Sequence, residues 1–379
     1  MNAPTPFARL IAAATCAFAG VWMSTPLAAV LLAEAGVSPA MIGLWAATSW
    51  GAALCTAPLT PWLASLAGGA FRLHRFAAVA AMLALCGLAT DPSLGWWYAC
   101  AALLGMGSCL TWTTADAIAG AMAPPGREGR ALGLYQTFVS AAIGGGPALL
   151  LLTGVRAEAF LAAAGVLALG LLLGTGLHDP AGTMPHRLHV SRARLLPELR
   201  VMAAPFGAAM LCGGLESSAA SVFPVQGLAL GMSVAAAAAI GVASGFGNVF
   251  AQYPVGRMAD RFGTDVALVC CAVAVAVSAL AWPWLANGPA VWPVLALWGG
   301  ASGAIYTLGM IRAVRRFAGP ARAIGIAGLN TAYLLGGALG APAAGLALER
   351  LPGWGLSVLL AAVALGGGVA LARAIRHQG

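Results

Sequence analysis

The sequence predicts an all-α membrane protein whose twelve transmembrane helices form two pseudo-symmetric six-helix bundles. Hydrophobic residues make up 61% of the chain and the mean hydropathy is +0.89. Charged residues make up only 8%, whereas a soluble domain carries about 25%. Apolar runs long enough to cross the hydrocarbon core, about 20 residues each, follow one another almost from end to end.

The breaks between the apolar runs define the predicted elements. The longest polar stretch, 178–200, contains three prolines, three histidines and four arginines. We therefore predict an N-terminal six-helix bundle at 1–177, a cytoplasmic central loop at 178–200 and a C-terminal six-helix bundle at 201–379. The spans are predicted at 10–32, 40–64, 74–91, 96–119, 129–153, 157–177, 201–224, 232–255, 265–285, 290–313, 322–347 and 354–374.

The arginines predict the orientation, because cytoplasmic segments carry an excess of basic residues. With the N-terminus inside, all arginines except Arg156 and Arg350 fall in cytoplasmic segments. This bias predicts that both termini are cytoplasmic and supports an even number of spans. The first apolar run is too long for the core of a signal peptide, so we predict that it is a retained span.

Several function classes are excluded by composition. The net charge of +8 comes from arginines in the breaks between spans, which indicates a lipid bilayer as partner and no nucleic acid. The eight cysteines lie in apolar runs without histidines at metal-ligand spacing, so no metal site is predicted. The chain contains no lysine and thus no nucleotide-binding P-loop. We predict no cofactor.

The two predicted bundles share internal repeats. Two constant spacings in different hairpins indicate duplication, and transporters built from such repeats bind substrate near the bilayer midplane, between halves that rock about it. At a spacing of 195 the pairs are Gly36 and Gly231, Ser38 and Ser233, and Gly68 and Gly263; at 192 they are Arg130 and Arg322, Gly133 and Gly325, and Gly144-Gly145 and Gly336-Gly337.

Three passages carry a resemblance to a known family. They are Gly214-Leu215-Glu216 with Phe223-Pro224, the segment from Gln252 to Gly263, and Asp116 followed fourteen residues later by Arg130. With the twelve spans and the central loop, these passages resemble the major facilitator superfamily, and within it the bacterial YcaD-like permeases. The resemblance implies a secondary active transporter of the bacterial inner membrane rather than an enzyme.

Two positions depart from the family pattern. The charged segment, residues 256–263, has a counterpart 195 residues earlier in the first half, with Ser65 at the position of Asp260. If the charged segment acts as a latch that holds the cytoplasmic side closed, only the second half should supply it. Gly146-Pro147 is similar to part of the antiporter signature, but Leu150 and Leu151 stand where that signature has paired glycines. This weakens an assignment as an exporter.

Glu216 is the first candidate site residue. A carboxylate at mid-bilayer costs about 2.5–3.5 kcal/mol on insertion scales, so its presence needs a reason. A carboxyl group shielded from water can exchange a proton near neutral pH. Glu216 is thus predicted to couple protons or to bind a cationic substrate group; the alternative is a neutral acid that hydrogen-bonds neighbouring helices.

Asp116 is the second candidate, about one turn from the inner end of span four, with Trp112 one turn before it on the same face. One interpretation is a second site of protonation and substrate binding. The other is a salt bridge to Arg130 or Arg75 that closes the cytoplasmic side, and its shallow position favours this gate.

The resemblance also implies a cytoplasmic gate and a cavity. We expect the charged segment to form a short turn that latches the cytoplasmic side; the alternative is a plain arginine-anchored turn. The gate residues are Gly256, Arg257, Asp260, Arg261, Gly263 and Arg130. Cavity-lining candidates, which are alternatively packing residues, are Trp22, Thr25, Trp112, Tyr306, Thr307, Gln136, Asn248, Gln252 and Asn330.

The sequence thus predicts proton-coupled alternating-access transport of a small organic solute, with efflux slightly favoured. The lack of intramembrane arginine argues against a strongly anionic solute. The alternatives are a proton-coupled uptake permease for a neutral nutrient and, in another class, a non-transporting scaffold or sensor. No histidine is expected in the middle of a span, since all five, His74 among them, are placed on the cytoplasmic side. A monomer suffices for this architecture.

Overall fold

The computed structural model describes residues 5–90, 93–123, 128–178, 203–316 and 320–378. These residues form α-helices joined by short connections. The helices are α1 (Pro6–Glu34), α2 (Pro39–Thr56), α3 (Thr60–Ala67), α4 (Ala70–Leu88), α5 (Leu94–Met122), α6 (Glu128–Ala148), α7 (Leu150–Thr153), α8 (Ala159–Leu173), α9 (Ala203–Ala229), α10 (Val234–Phe262), α11 (Thr264–Leu285), α12 (Val291–Arg316), α13 (Pro320–Arg350) and α14 (Gly355–Gln378).

Membrane-spanning length is reached by eleven helical segments among the described residues. A twelfth apolar helix, α8, has 15 residues. The predicted second span is built from α2, the 3₁₀ turn Ala57–Leu59 and α3, because Pro58 and Pro61 interrupt the regular helix. The chain is therefore an all-helical multi-pass membrane protein, as the sequence predicts.

The charged segment at the end of α10 corrects one prediction. The expected turn is helical up to Phe262, and the chain changes direction only at Gly263, where φ is 92°. Arginine, methionine and alanine are strong helix formers, so the helix continues through the charged residues. A positive φ favours glycine, which has no Cβ, and the helix ends there.

The predicted repeat is reproduced in local geometry. Gly36 and Gly231 have φ of 78° and 83°. Two residues later, Ser38 Oγ accepts from the N–H of Met41 at 3.4 Å, and Ser233 Oγ accepts from that of Ala236 at 3.2 Å. The same glycine turn and serine cap therefore start α2 and α10, one in each half of the sequence.

The chain divides into two compact units. The first contains Met1–Leu31 and Thr48–Leu188, and the second contains Leu32–Ala47 and His189–Gly379. The end of α1 and the start of α2 thus pack with the second unit, where Glu349 Oε2 accepts from the N–H of Ala40 at 3.2 Å. The predicted boundaries at 177 and 201 stay a prediction.

Each unit has its own aromatic core. In the first unit, Phe18 and Tyr135 are among the buried residues of a cluster from α1, α4, α5 and α6. In the second unit, the ring of Phe223 lies 5.3 Å from Trp282 and 4.7 Å from Trp298. These contacts join α9, α11 and α12.

Candidate functional site

The candidate site lies in the second unit, where α9 and α13 pack closely against each other. A Cβ built on Gly214 would lie 3.4 Å from the carbonyl oxygen of Gly336, and one on Gly340 would overlap the backbone of Gly214. Small residues let helix backbones approach closely in membranes. Because these glycines face each other, long side chains nearby on the two helices reach one another.

Glu216 on α9 accepts hydrogen bonds at both carboxylate oxygens. The hydroxyl of Tyr333, on α13, donates to Oε2 at 2.5 Å. The Nδ2 amide of Asn248, on α10, donates to Oε1 at 3.4 Å. Glu216 is half-buried, so the protein shields a carboxylate in a membrane span and supplies it with donors from two other helices.

The chain of hydrogen bonds continues through α10 to α12. Gln252 Nε2 donates to Asn248 Oδ1, and Thr307 Oγ1 donates to Gln252 Oε1 at 2.5 Å. Gly303 makes room for this path, since a Cβ there would overlap the side chain of Asn248. Four helices thus contribute to one polar network, defined as Tyr333, Glu216, Asn248, Gln252 and Thr307.

The hydrogen bonds of the network all run in one direction, toward Glu216. The hydroxyl of Thr307 donates to the carbonyl of Gln252, the amide of Gln252 donates to the carbonyl of Asn248, and the amide of Asn248 donates to the carboxylate. An ionised carboxylate only accepts hydrogen bonds, whereas a protonated one also carries an O–H that needs an acceptor. A proton on Glu216 therefore requires one of its partners to accept a hydrogen bond instead of donating one.

Asp116 lies in a separate site in the first unit. Its Oδ1 accepts from the hydroxyl of Tyr135, on α6, at 2.8 Å. Of the two predicted ion-pair partners, Arg75 donates to the carbonyl of Leu177 at 3.2 Å, and the side chain of Arg130 lies outside the described residues. Trp112 packs against Phe18, with ring centroids 4.5 Å apart and the ring planes inclined by 44°.

The predicted cavity residues separate into two groups. Asn248, Gln252 and Thr307 belong to the polar network, and Tyr306 packs edge-on against Tyr333 with centroids 5.4 Å apart. The others lie elsewhere: Trp22 and Trp112 pack on the first unit's core, Thr25 is half-buried on α1, Gln136 is exposed on α6, and Asn330 is half-buried on α13.

The predicted gate residues lie at the end of α10, except Arg130, which lies on α6. Arg257, Asp260 and Arg261 are exposed. The guanidinium of Arg261 lies 5.2 Å from the ring centroid of Phe262. Their role in a gate stays a prediction.

Sequence reasoning missed both tyrosines that donate to the two carboxylates. Tyr333 and Tyr135 were hidden by their apolar neighbours, although the chain has only five tyrosines and a tyrosine inside a span needs a partner for its hydroxyl. His74 lies in the second turn of α4, which begins at Ala70. It is 7% exposed, and its Nδ1 lies 3.1 Å from Thr114 Oγ1.

No cluster of three or more metal-ligating side chains occurs among the residues that the structure describes. The candidate site consists of hydrogen-bonding groups only. Such a site can bind hydroxyl, amide or ammonium groups and can exchange a proton at Glu216.

Comparison with known proteins gives the family. The sequence profile of the Major Facilitator Superfamily matches residues 10–201 and 205–378. No curated protein sequence matches. Among solved structures, the nucleoside transporter NupG (D323A mutant) has a TM-score of 0.78 at 15% identity, covering 99% of this chain and 100% of that one. The D-xylose-proton symporter has a TM-score of 0.76 at 12% identity, covering 96% and 95%.

A bacterial homolog of the human lysosomal transporter Spinster, in an inward-facing and unoccupied conformation, has a TM-score of 0.71 at 14% identity and covers 98% of this chain and 94% of that one. At these identities the structural likeness shows the fold. The profile match covers nearly the whole chain. The chain therefore belongs to the Major Facilitator Superfamily and is a transporter.

Proposed function

We propose that this protein is a proton-coupled secondary active transporter of a small neutral or cationic organic solute, with Glu216 as the coupling residue. The supporting observation is the polar network, in which Glu216 accepts at both oxygens from Tyr333 and Asn248. It works by alternating access in the bacterial inner membrane with both termini cytoplasmic, and it resembles the YcaD-like permeases. We favour a second site of protonation at Asp116 over the gate, because its Oδ1 accepts from Tyr135 while Arg75 donates to the carbonyl of Leu177.

Proton coupling follows from the direction of the hydrogen bonds. When Glu216 binds a proton on Oε1, Asn248 must present its carbonyl instead of its amide. Gln252 and Thr307 must then reverse in turn, because each donates to the next residue of the path. Protonation on one helix thereby changes the groups that α10 and α12 offer to a solute.

The charge of the network selects the solute. An ionised carboxylate attracts a cation or a hydrogen-bond donor and repels an anion. The amides of Asn248 and Gln252 and the hydroxyls of Thr307 and Tyr333 complement a neutral polar molecule. Export of a neutral or cationic solute is the direction we favour.

Uptake of a neutral nutrient is the second candidate. It is favoured by the hydroxyl- and amide-rich network and by the likeness in fold to a D-xylose-proton symporter and a nucleoside transporter. The sign of the pH gradient that drives accumulation decides between the two directions. A scaffold or sensor, the candidate of another class, moves no solute under either gradient.

The test uses purified protein in proteoliposomes with an imposed pH gradient, a pH-sensitive dye and three probes: a nucleoside, D-xylose and a lipophilic cation. We expect Glu216→Gln to abolish gradient-driven accumulation, because the amide cannot ionise, while binding measured by thermal stabilisation persists. The control is Glu158→Gln, an exposed carboxylate beyond the spans. Normal transport with proton movement in Glu216→Gln would refute the coupling role.

A further inference from the structure

A long apolar groove runs along the outside of the second unit between α10, α11 and α12. Its volume is about 750 Å³, and its lining includes Phe246, Phe250, Met258, Cys270 and Leu297. Among the described membrane-spanning helices, α10 is the least buried: only 28% of the residues in its most apolar part are buried. Exposed side chains on this face, such as Phe250 at 75%, lie on the side of α10 away from Asn248 and Gln252 of the polar network.

The face of α10 that lines the groove carries two arginines at its end. On α10 its lining residues recur at Ala243, Gly247, Phe250, Pro254 and Met258. Steps of three or four residues keep one helix face, and the same stripe next reaches Arg261, with Arg257 three residues after Pro254. Both arginines are exposed. One continuous face of α10 is therefore apolar along the span and cationic at its end.

The dimensions fit a lipid tail. Ala243 and Met258 are fifteen positions apart, which at about 1.5 Å per residue gives a length of about 22 Å. One leaflet of the hydrocarbon core is about 15 Å thick. The groove is lined by the small residues Gly247, Ala251 and Gly300 together with aromatic side chains such as Phe246 and Phe250, so a flexible chain can lie against the helices.

The charges near the groove's end favour an anionic headgroup. Among the side chains that the structure describes, the cations near this end are Arg257, Arg261 and Arg312 and the carboxylates are Asp260 and Asp265, which leaves a net positive charge. Arg312 already donates to Thr264 Oγ1 at 3.1 Å. Arginine binds phosphate with paired N–H donors. We propose that this groove is a binding site for an anionic phospholipid, with an acyl chain in the groove and the phosphate at Arg257 and Arg261.

The site would tie lipid composition to the position of α10, the helix that carries Asn248 and Gln252 of the polar network. This inference depends on the groove and its arginines, and it holds whether or not Glu216 couples protons. A lipid in the groove contacts the face of α10 opposite to the one that carries Asn248 and Gln252.

The experiment is native mass spectrometry of the delipidated protein titrated with phosphatidylglycerol or phosphatidylcholine. We expect retention of phosphatidylglycerol to exceed that of phosphatidylcholine. Cys270→Trp should reduce retention, because the indole fills the groove at an exposed position. The matched control is Cys55→Trp, also exposed but on α2, which should retain lipid like the wild type. The melting temperature of each variant verifies folding.

The headgroup is tested by Arg257→Gln and Arg261→Gln, each expected to weaken phosphatidylglycerol binding about fivefold, the effect of one cation near an anionic surface. Arg72→Gln, an exposed arginine of the first unit, is the control. Should Cys270→Trp misfold, Phe250→Ala replaces it by removing one wall. Unchanged retention in the groove variants, or equal binding of both lipids, would overturn the proposal.

Discussion

At the scale of single residues, the central feature is a carboxylate with a donor on each oxygen. Glu216 could be singled out from the sequence because a charge inside a span is costly. Tyr333 could not, because its partner lies 117 positions away and is brought near only by the glycines of α9 and α13. Sequence spacing predicts contacts within one helix but not between helices.

Tyr333→Phe removes the donor to Glu216 Oε2 and leaves the ring that packs on Tyr306. Hydrogen bonds between membrane helices contribute about 0.6–1.7 kcal/mol, so a small loss of stability is expected. The ionised form of Glu216 loses one of its two donors, and the pH dependence of transport should therefore shift to more alkaline pH. Transport measured across a pH series checks this.

The control for this change is Tyr253→Phe, on an exposed position of α10. It removes a hydroxyl from an exposed tyrosine that is not part of the network, and it should leave the pH dependence of transport unchanged. An identical shift in both variants would show that the effect does not pass through Glu216.

At the scale of helices, the packing of α9 against α13 positions the network. The glycine-rich stretch near Gly336 is visible in the sequence as a close-packing surface, but its partner helix is not. The charged end of α10 shows a different case: the sequence analysis predicts a turn at these residues, whereas intrinsic helix propensity extends the helix to Phe262.

Gly340→Ala should disrupt this packing. The added Cβ would overlap the backbone of Gly214, which cannot move as a flexible side chain does. Overpacking costs about 1–3 kcal/mol, so the melting temperature should fall, and transport should fall with it as Glu216 and Tyr333 separate. The control is Gly366→Ala on α14, where a Cβ meets nothing within 4 Å. Equal stability of the two variants would contradict the packing argument.

At the scale of the whole molecule, composition alone predicts the class of fold, because a chain with so few charges has no other environment than lipid. The repeat spacing predicts that the halves are related. The polar network departs from that symmetry, since Ala53 and Ala57 stand at 195 residues before Asn248 and Gln252. The polar network is therefore specific to the helices of the second unit, and the predicted repeat does not account for it.

The duplication itself can be tested at Gly36 and Gly231. Both have φ near 80°, and a Cβ on either meets nothing within 4 Å, so alanine there introduces only backbone strain of about 1–2 kcal/mol. Gly36→Ala and Gly231→Ala should lower the melting temperature by equal amounts. Asparagine, which adopts the left-handed conformation more readily, should cost less at both positions. Unequal losses for the two alanine variants would mean that the two turns contribute differently to stability, and that the repeat is confined to the sequence.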